Sequence, residues 1–182
     1  PDWKYVCKVW PQPRTRLQNL DDLELATHLG IEKNVTFETS IISRNFMPYL
    51  MGACDIYAAP SRLEGFGMPQ VEAGACGKPV IGIMAMGMLD TLVHGETAFL
   101  AKVAQKISVK EVILGDESGF EDEHRVAFKV PRTVDYRASV HDIANYLMDL
   151  MNDAALRKKI GKAARKHVVE YFDYRLVAKQ FV

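Results

Sequence analysis

The sequence predicts an α/β fold in which a parallel β-sheet carries helices on both faces. Short apolar runs typical of strands alternate with longer segments whose apolar residues recur at helical spacing, which is the pattern of β-α-β units. The chain has 182 residues, 48% hydrophobic and 25% charged, as expected for one globular domain with a full core. Ligands of such folds bind beyond the carboxyl ends of the strands, so the loops at that edge are the first candidates for a site.

Apolar spacing predicts the first elements of the chain. Residues 5–9 and 35–37 read as strands, and residues 19–29 between them read as a helix. A second helix is expected over residues 45–53. Its internal Pro48 should lie in the first turn or at a kink, because proline lacks the N–H that a helix interior needs.

A third strand, over residues 55–58, leads into a glycine-rich loop and then into a helix with Pro69 as its first residue. Gly77 ends this helix, and the apolar segment Val80–Ile83 predicts the next strand. The order is again β, then α, then β. The glycine-rich loop is therefore expected at the carboxyl edge of the sheet.

Residues 101–135 interrupt this alternation and predict an added β-hairpin. Its strands are expected over residues 106–114 and 125–130, on either side of the acidic segment 115–123, which reads GDESGFEDE. The regular ligand spacing of an EF-hand is missing from this segment. A protruding surface loop, open to proteolysis, is therefore favoured over a calcium site.

The C-terminal part is expected to be helical over residues 139–151, 153–169 and 174–182, with Ser139 and Asp153 as N-caps. One of these helices carries the basic residues Lys158, Lys159, Lys162, Arg165 and Lys166. They recur on the polar face of an amphipathic helix without an aromatic stacking platform. A solvated face is favoured over a nucleic-acid site for that reason.

Charge and cysteine content exclude several classes of protein. Lys plus Arg and Asp plus Glu both total 23, and a net charge of zero creates no general attraction to nucleic acid or anionic membranes. Cys7, Cys54 and Cys76 lack paired spacing, which indicates neither a disulfide framework nor a zinc site and favours the cytoplasm. No apolar run approaches the roughly 20 residues of a membrane span. The abrupt start at Pro1, beside a strand and without a leader, indicates a segment of a longer protein.

The most informative segment runs from Pro60 to Val80 and reads PSRLEGFGMPQVEAGACGKPV. Gly65 and Gly67 bracket an aromatic residue directly before a helix, where glycine permits unusual dihedrals and close approach of a ligand. The free N–H groups at the helix start carry partial positive charge, which suits a phosphate. The pattern predicts an anion cradle that uses no lysine.

Two glutamates flank this cradle. Glu72 is expected in the first turn of the helix, where the helix dipole favours a carboxylate that can accept both hydroxyls of a ribose. Glu64, on the other side, is placed to hold a sugar at the opposite end of a diphosphate. A glycine turn or a helix acid alone is common without any functional role, whereas their combination favours a nucleotide-sugar site.

The segment resembles the Glu-x(seven)-Glu signature of the retaining glycosyltransferases of family 4, relatives of glycogen and sucrose synthases. PSxxEGFGxxxxEA followed by CGKPV carries the resemblance, which covers residues 3–100 and 139–172. It implies the C-terminal, Rossmann-like, donor-binding domain of a GT-B fold, with residues 101–135 as an insertion. Residues 1–182 then form one domain without its first strand and helix and without the N-terminal acceptor domain. Such a fragment is expected to be inactive alone.

The resemblance also implies roles for the residues of the motif. Glu64 is the catalytic candidate and contacts hydroxyls of the donor sugar, while Glu72 binds the ribose. The turn that meets the sugar and diphosphate through backbone amides consists of Gly65, Phe66, Gly67 and Met68. We cast Glu64 as an orienting residue rather than a nucleophile.

Contacts to the donor base fall, by the same resemblance, on the loop after the second strand, at Thr39, Ser40 and Ile41. An ordinary polar turn is the alternative there. The implied reaction moves a hexose from a nucleoside diphosphate sugar to a glycan or other acceptor with retention of configuration, typically without metal or other cofactor. Expected partners are the nucleotide sugar and the acceptor but no nucleic acid, and attachment of the whole protein to a membrane stays open.

The sequence departs from the family pattern in several places. The family's basic pair that neutralises the diphosphate would precede the present first strand, residues 87–90 read GMLD where the family has GGxxE, and Ala98 replaces a glycine. A non-catalytic nucleotide-binding or assembly module, and an epimerase or phosphorylase of the same fold, remain as alternatives. The histidines that could act as acids or bases by type, but for which surface roles are favoured, are His94, His124 and His141.

Overall fold

The computed structural model describes residues 2–9, 13–114 and 124–179. The chain forms two compact units, Pro1–Met47 and Pro48–Val182. Each unit is built around parallel strands with helices packed on them, so the predicted α/β class is confirmed.

The first unit is a single β-α-β arrangement of β1 (Tyr5–Lys8), α1 (Pro13–His28) and β2 (Val35–Glu38). The two strands pair in parallel over their whole length. α1 starts well before the predicted residue 19, because the apolar spacing that marked the helix begins only in its second half. Gly30 follows the helix with φ of +70°, a left-handed conformation that glycine adopts at little cost and that ends helices.

The second unit contains a three-stranded parallel sheet in the order β3, β4, β5. Its elements are α2 (Met47–Ala53), β3 (Tyr57–Ala58), α3 (Met68–Ala75), β4 (Val80–Ile83), α4 (Met88–Thr91) and β5 (Ala98–Ala101). β4 is buried at every position, since it is the central strand and has neighbours on both edges. Pro48 lies in the first turn of α2, as predicted. The short helix α4 was not predicted.

Three helices complete the second unit: α5 (Val140–Asn152), α6 (Ala154–Tyr171) and α7 (Tyr174–Ala178). Both predicted N-caps are confirmed, since Ser139 Oγ accepts from the Asp142 N–H at 3.2 Å and Asp153 Oδ1 accepts from the Leu156 N–H at 2.8 Å. The five basic residues of α6 are all exposed. Among the residues that the structure describes, no helix is long and apolar enough to cross a membrane.

α6 approaches the turn that follows α3 very closely. A Cβ built on Gly161 would lie 2.9 Å from the carbonyl carbon of Gly77, and one on Gly74 would lie 3.1 Å from Val168 Cγ2. Arg165 also donates to the Ala75 carbonyl oxygen at the C-terminal end of α3. Small residues therefore hold α3, the helix that begins at the glycine motif, in a fixed position on α6.

The predicted hairpin is confirmed as an antiparallel pair, β6 (Val103–Leu114) and β7 (His124–Ala138). Both strands are longer than predicted, and Ala101 belongs to β5 rather than to the insertion. The prediction ended the second strand at residue 130, directly before Pro131. Pro131 instead lies in an irregular stretch of the ladder, where one strand bulges and pairing is interrupted. The acidic segment 115–123 lies outside the described residues.

The three cysteines, Cys7, Cys54 and Cys76, are free thiols, and each is half-buried. Cys76 Sγ lies 3.8 Å from the Pro48 carbonyl oxygen, so it contacts the start of α2. Burial raises the pKa of the Cys7 thiol, which keeps it protonated and poorly reactive.

Candidate functional site

Residues 59–67, here called the motif loop, leave the carboxyl end of β3 and lead directly into α3. Gly67 is the N-cap of α3 and has φ of +90°, a conformation that L side chains rarely adopt. Gly65, against the prediction, does not have a positive φ. A Cβ built on Gly65 would meet no atom within 4 Å. Neither backbone conformation nor packing within the described residues therefore requires glycine at position 65.

Glu64 is fixed in the motif loop by its own polar groups. Its carboxylate oxygen Oε1 accepts from the Gly67 N–H at 3.1 Å. Its backbone N–H donates to Met86 Sδ at 3.3 Å, and its carbonyl oxygen accepts from the Gly87 N–H at 3.5 Å. The half-buried side chain thus lies across the turn that precedes α3.

Glu72 lies in the second turn of α3, so its predicted place in the first turn is wrong. The helix begins at Met68, one residue before the predicted Pro69, and no acidic residue occupies its first turn. The helix-dipole argument for Glu72 is correspondingly weaker, because the dipole effect falls off within one turn. The side chain is exposed.

Tyr57, the first residue of β3, is close enough to both glutamates for their charges to affect the pKa of its hydroxyl. Burial raises the pKa of its hydroxyl above the ordinary value, and the negative charges of Glu72 and then Glu64 raise it further. Both carboxylates therefore lie within electrostatic range of this half-buried phenol.

The turn contains two backbone donors that have no partner among the described residues, the N–H groups of Gly65 and Phe66. The Phe66 ring packs edge-on against Phe172 at the end of α6, with ring centroids 5.8 Å apart. Phe66 is thus anchored by its side chain, and Met68 beside it is exposed. The turn thus combines a fixed backbone with N–H donors that have no described partner, and such donors can bind an anion.

A second loop, between β4 and α4, supports the motif loop from one side. A Cβ built on Gly87 would lie 2.6 Å from the Gly65 carbonyl carbon and 2.7 Å from Phe66 Cα, closer than real Cβ atoms approach. Thr91 is buried and donates to the Gly87 carbonyl oxygen at 3.0 Å. Met86 has φ of +57°, a strained conformation for a residue with a side chain. Glycine at position 87 thus permits this close contact between the two loops.

The insertion hairpin holds the motif loop from another side, through an ion pair that the sequence did not reveal. Arg62 Nε lies 3.0 Å from both carboxylate oxygens of Asp135, and its Nη2 also bonds to Oδ2. Arg137 Nε donates to Asp135 Oδ2 at 3.0 Å, and the Tyr136 N–H donates to the Arg62 carbonyl oxygen at 2.8 Å. Hydrogen bonding from Arg62 holds the pKa of Asp135 below its usual range, against the opposing effect of its burial.

An open groove of about 480 Å³ lies beside this ion pair. Its walls come from the motif loop at Pro60 and Arg62 and from the hairpin at Gln105, Tyr136 and Arg137. Lys106 Nζ lies 5.7 Å from the centre of the Tyr136 ring. The groove thus has basic side chains on both walls, with one buried carboxylate between two guanidinium groups.

The residues proposed for the donor base lie in the first unit, in the loop that follows β2. Glu38 accepts from the Ser40 N–H at 2.7 Å and from the Ser40 hydroxyl, which lowers the pKa of Glu38. Ile41 is 82% exposed. This geometry describes a closed polar turn, and the role of Thr39, Ser40 and Ile41 in base binding stays a prediction.

His94 has a structural role. Its Nδ1 accepts from the Leu100 N–H at 2.9 Å, and its ring contacts Phe99 and Tyr146. His141 is exposed at the start of α5, and the side chain of His124 lies outside the described part of the chain.

The sequence family described as Glycosyl transferases group 1 matches residues 19–124 of this chain. The chain is 25% identical over 164 residues to N-acetyl-alpha-D-glucosaminyl L-malate synthase of Bacillus anthracis, covering 88% of this chain and 34% of that protein. It is 34% identical over 120 residues to D-inositol 3-phosphate glycosyltransferase of Mycolicibacterium gilvum, covering 62% of this chain and 27% of that protein. The chain thus spans about a third or less of the length of these relatives.

Solved structures share the fold. The C-terminal domain of a glycosyl transferase group 1 family protein from Francisella tularensis superposes with a TM-score of 0.69 at 25% identity, covering 96% of this chain and 72% of that one. A protein from Anabaena, solved in complex with UDP, gives a TM-score of 0.70 at 23% identity, covering 100% of this chain and 40% of that one.

Proposed function

This chain belongs to the glycosyl transferases group 1 family, and from that premise we propose that it is the donor-binding part of a retaining glycosyltransferase. The whole protein would move a hexose from a nucleoside diphosphate sugar to an acceptor. Support comes from the relatives, which are named as sugar-transferring enzymes, and from the Anabaena structures, whose titles name UDP and UDP-glucose. The acceptor would be held by a part of the protein beyond this chain.

One observation carries the proposal: the space at Gly65. No described atom lies within 4 Å of the position that a Cβ would take. In addition, the N–H groups of Gly65 and Phe66 have no acceptor among the described residues. A ligand that brings oxygen atoms close to the backbone would use both the space and the donors. A diphosphate is such a ligand.

In this proposal each part of the site has one task. The turn amides receive the diphosphate and stabilise the charge that develops on it as the sugar leaves, a form of electrostatic stabilisation that requires fixed donors. Glu64 orients the sugar through its hydroxyls, and Glu72 accepts from the ribose. Ser40 and Ile41 would contact the base.

Gly65→Ala is expected to weaken binding of UDP at least tenfold without lowering the melting temperature of the protein. The new methyl group meets no protein atom, so the folded state tolerates it, but it occupies the space assigned to the diphosphate. Calorimetric titration with UDP and with UDP-glucose, on the full-length protein that contains this chain, measures the effect.

The matched control is Gly52→Ala in α2, which also has open space around it. It should leave UDP binding unchanged, since alanine also favours a helix. Wild-type affinity in Gly65→Ala would mean that no ligand approaches this turn and that the proposed site is wrong.

Glu72→Ala is expected to weaken UDP binding by roughly 1.5–3 kcal/mol, the range for a lost hydrogen bond to a charged group. The side chain is exposed, so the substitution should leave the fold intact. Binding of uridine against binding of uracil isolates the ribose contact, because these two ligands differ only in the ribose. Glu96→Ala, at an exposed glutamate in the turn before β5, serves as control. Unchanged UDP affinity in Glu72→Ala would exclude the ribose role.

A further inference from the structure

We propose that the insertion hairpin, formed by β6 and β7, contributes to sugar transfer at the donor site. Asp135 is then a positioning residue: it fixes Arg62 and, through Arg62, the loop that carries Glu64. This inference rests on the proposed function. It assigns a task in sugar transfer to a segment outside the glycine motif, contributed by β7.

The contact between hairpin and motif loop is specific in its geometry. The Asp135 side chain is only 8% exposed, and both of its oxygens accept from the Arg62 guanidinium. Charge-assisted, two-pronged pairs of this kind fix orientation as well as distance. The backbone bond from Tyr136 N–H to the Arg62 carbonyl oxygen adds a second tie to the same residue. Arg62 is thus held by both its side chain and its main chain.

Few other contacts hold this side of the motif loop. Leu63, between Arg62 and Glu64, is 63% exposed and therefore contributes little packing. The start of the loop is tied to β4 by the Ala59 N–H, which donates to the Ile81 carbonyl oxygen at 2.9 Å, and Gln70 Nε2 lies 3.5 Å from Ser61 Oγ. Met86 and Gly87 act at Glu64 and beyond. The hairpin therefore supplies the charged contact to the segment directly before Glu64.

The topology explains why a hairpin at this point of the chain reaches the site. β3 and β5 both run parallel to β4. The motif loop starts at the carboxyl end of β3, and the hairpin starts at Val103, directly after the carboxyl end of β5. Both segments leave the sheet at the same edge, where ligands of parallel sheets bind.

Arg137 makes the arrangement testable without unfolding the hairpin. Its Nε also donates to Asp135, so Arg62→Ala still leaves the buried carboxylate with one charged partner. Asp135→Asn keeps the size of the side chain but removes its charge. The two single variants and the double variant then form a cycle that measures coupling between the two residues.

The test measures sugar transfer, UDP affinity and melting temperature of the full-length protein, with UDP-glucose as the donor probe or whichever nucleotide sugar the wild type turns over. We expect each single variant to reduce kcat by roughly tenfold to a hundredfold, since displacement of a reacting group by about 1 Å costs that much. UDP affinity should change less than twofold. The double variant should be no slower than either single variant.

Glu111→Gln is the control, because it removes the charge of another residue of the hairpin. Glu111 pairs with Arg125 at 3.3 Å, and both side chains are exposed. It should leave kcat unchanged. A parallel fall of melting temperature, UDP affinity and kcat in Arg62→Ala and Asp135→Asn would reduce the pair to a structural role and overturn the inference. Wild-type kcat in these variants would also overturn it. Absence of transfer by the wild type, with every nucleotide sugar tried, would instead contradict the proposed function.

Discussion

Gly87→Ala should disrupt the donor site and destabilise the protein. The added methyl group would overlap the backbone of the Gly65-Phe66 turn, which is not a flexible side chain that can rotate away. Either α4 or the turn has to move. We expect a loss of about 1–3 kcal/mol in the free energy of unfolding, typical of overpacking, and a loss of UDP affinity of at least tenfold. Chemical denaturation and calorimetry measure the two quantities.

Leu89→Ala separates the clash from a general weakening of α4, since Leu89 lies two residues further on and its side chain is largely exposed. It should leave UDP affinity as it is. If Gly87→Ala kept both wild-type stability and wild-type affinity, the two loops would be free to separate, and the close approach would have no part in binding.

Local signals allowed most of the fold to be predicted from the sequence. The apolar segment Val80–Ile83 became the buried central strand, and Ser139 and Asp153 became N-caps, because each of these features depends on residues close in the chain. Errors occurred where tertiary contacts decide. β7 continues through Pro131 because the ladder is irregular there, which no local pattern indicates.

The candidate site was predicted only in its local part. The motif loop lies at the expected sheet edge, but Glu72 lies in the second turn of α3 rather than the first, because the helix begins at Met68, one residue before the predicted Pro69. The ion pair of Arg62 with Asp135 joins residues 73 positions apart, and one sequence contains no signal for such a pairing. The sequence of residues 87–90 was visible as a departure from the family pattern. The reason for glycine at position 87, its close approach to Gly65, depends on a contact between residues distant in the chain.

The contacts made by Gly87 and by Asp135 fix the position of the motif loop in two different ways. Short polar loops gain little from apolar burial, so their position has to be fixed by close backbone contact and by paired charges. Gly87 supplies the backbone contact and Asp135 the paired charge. In the proposed reaction, fixed N–H donors would stabilise the charge on the departing diphosphate, because no energy is then spent on reorganisation during the reaction. The carboxylate of Glu64, held in the same loop, would keep its orientation toward the donor sugar.

Glu64→Gln should reduce sugar transfer by roughly tenfold to a hundredfold while leaving UDP affinity unchanged. The amide oxygen can still accept from the Gly67 N–H, so the turn keeps its internal hydrogen bond. The charge that would bind hydroxyls of the donor sugar is lost, at a cost of about 1.5–3 kcal/mol. UDP contains no such sugar, and its affinity should therefore stay the same. Steady-state kcat and calorimetry on the full-length protein provide both values.

The comparison with Glu64→Ala distinguishes the two tasks of this side chain. Alanine removes the acceptor of the Gly67 N–H as well as the charge, so we expect it to lower the melting temperature and UDP affinity in addition to kcat. Glu96→Gln, at the exposed turn before β5, should match the wild type in all three measurements. Full transfer activity in Glu64→Gln would exclude a charged contact to the donor sugar. Glu64 would then be a residue that shapes the turn, and orientation of the sugar would have to come from elsewhere in the protein.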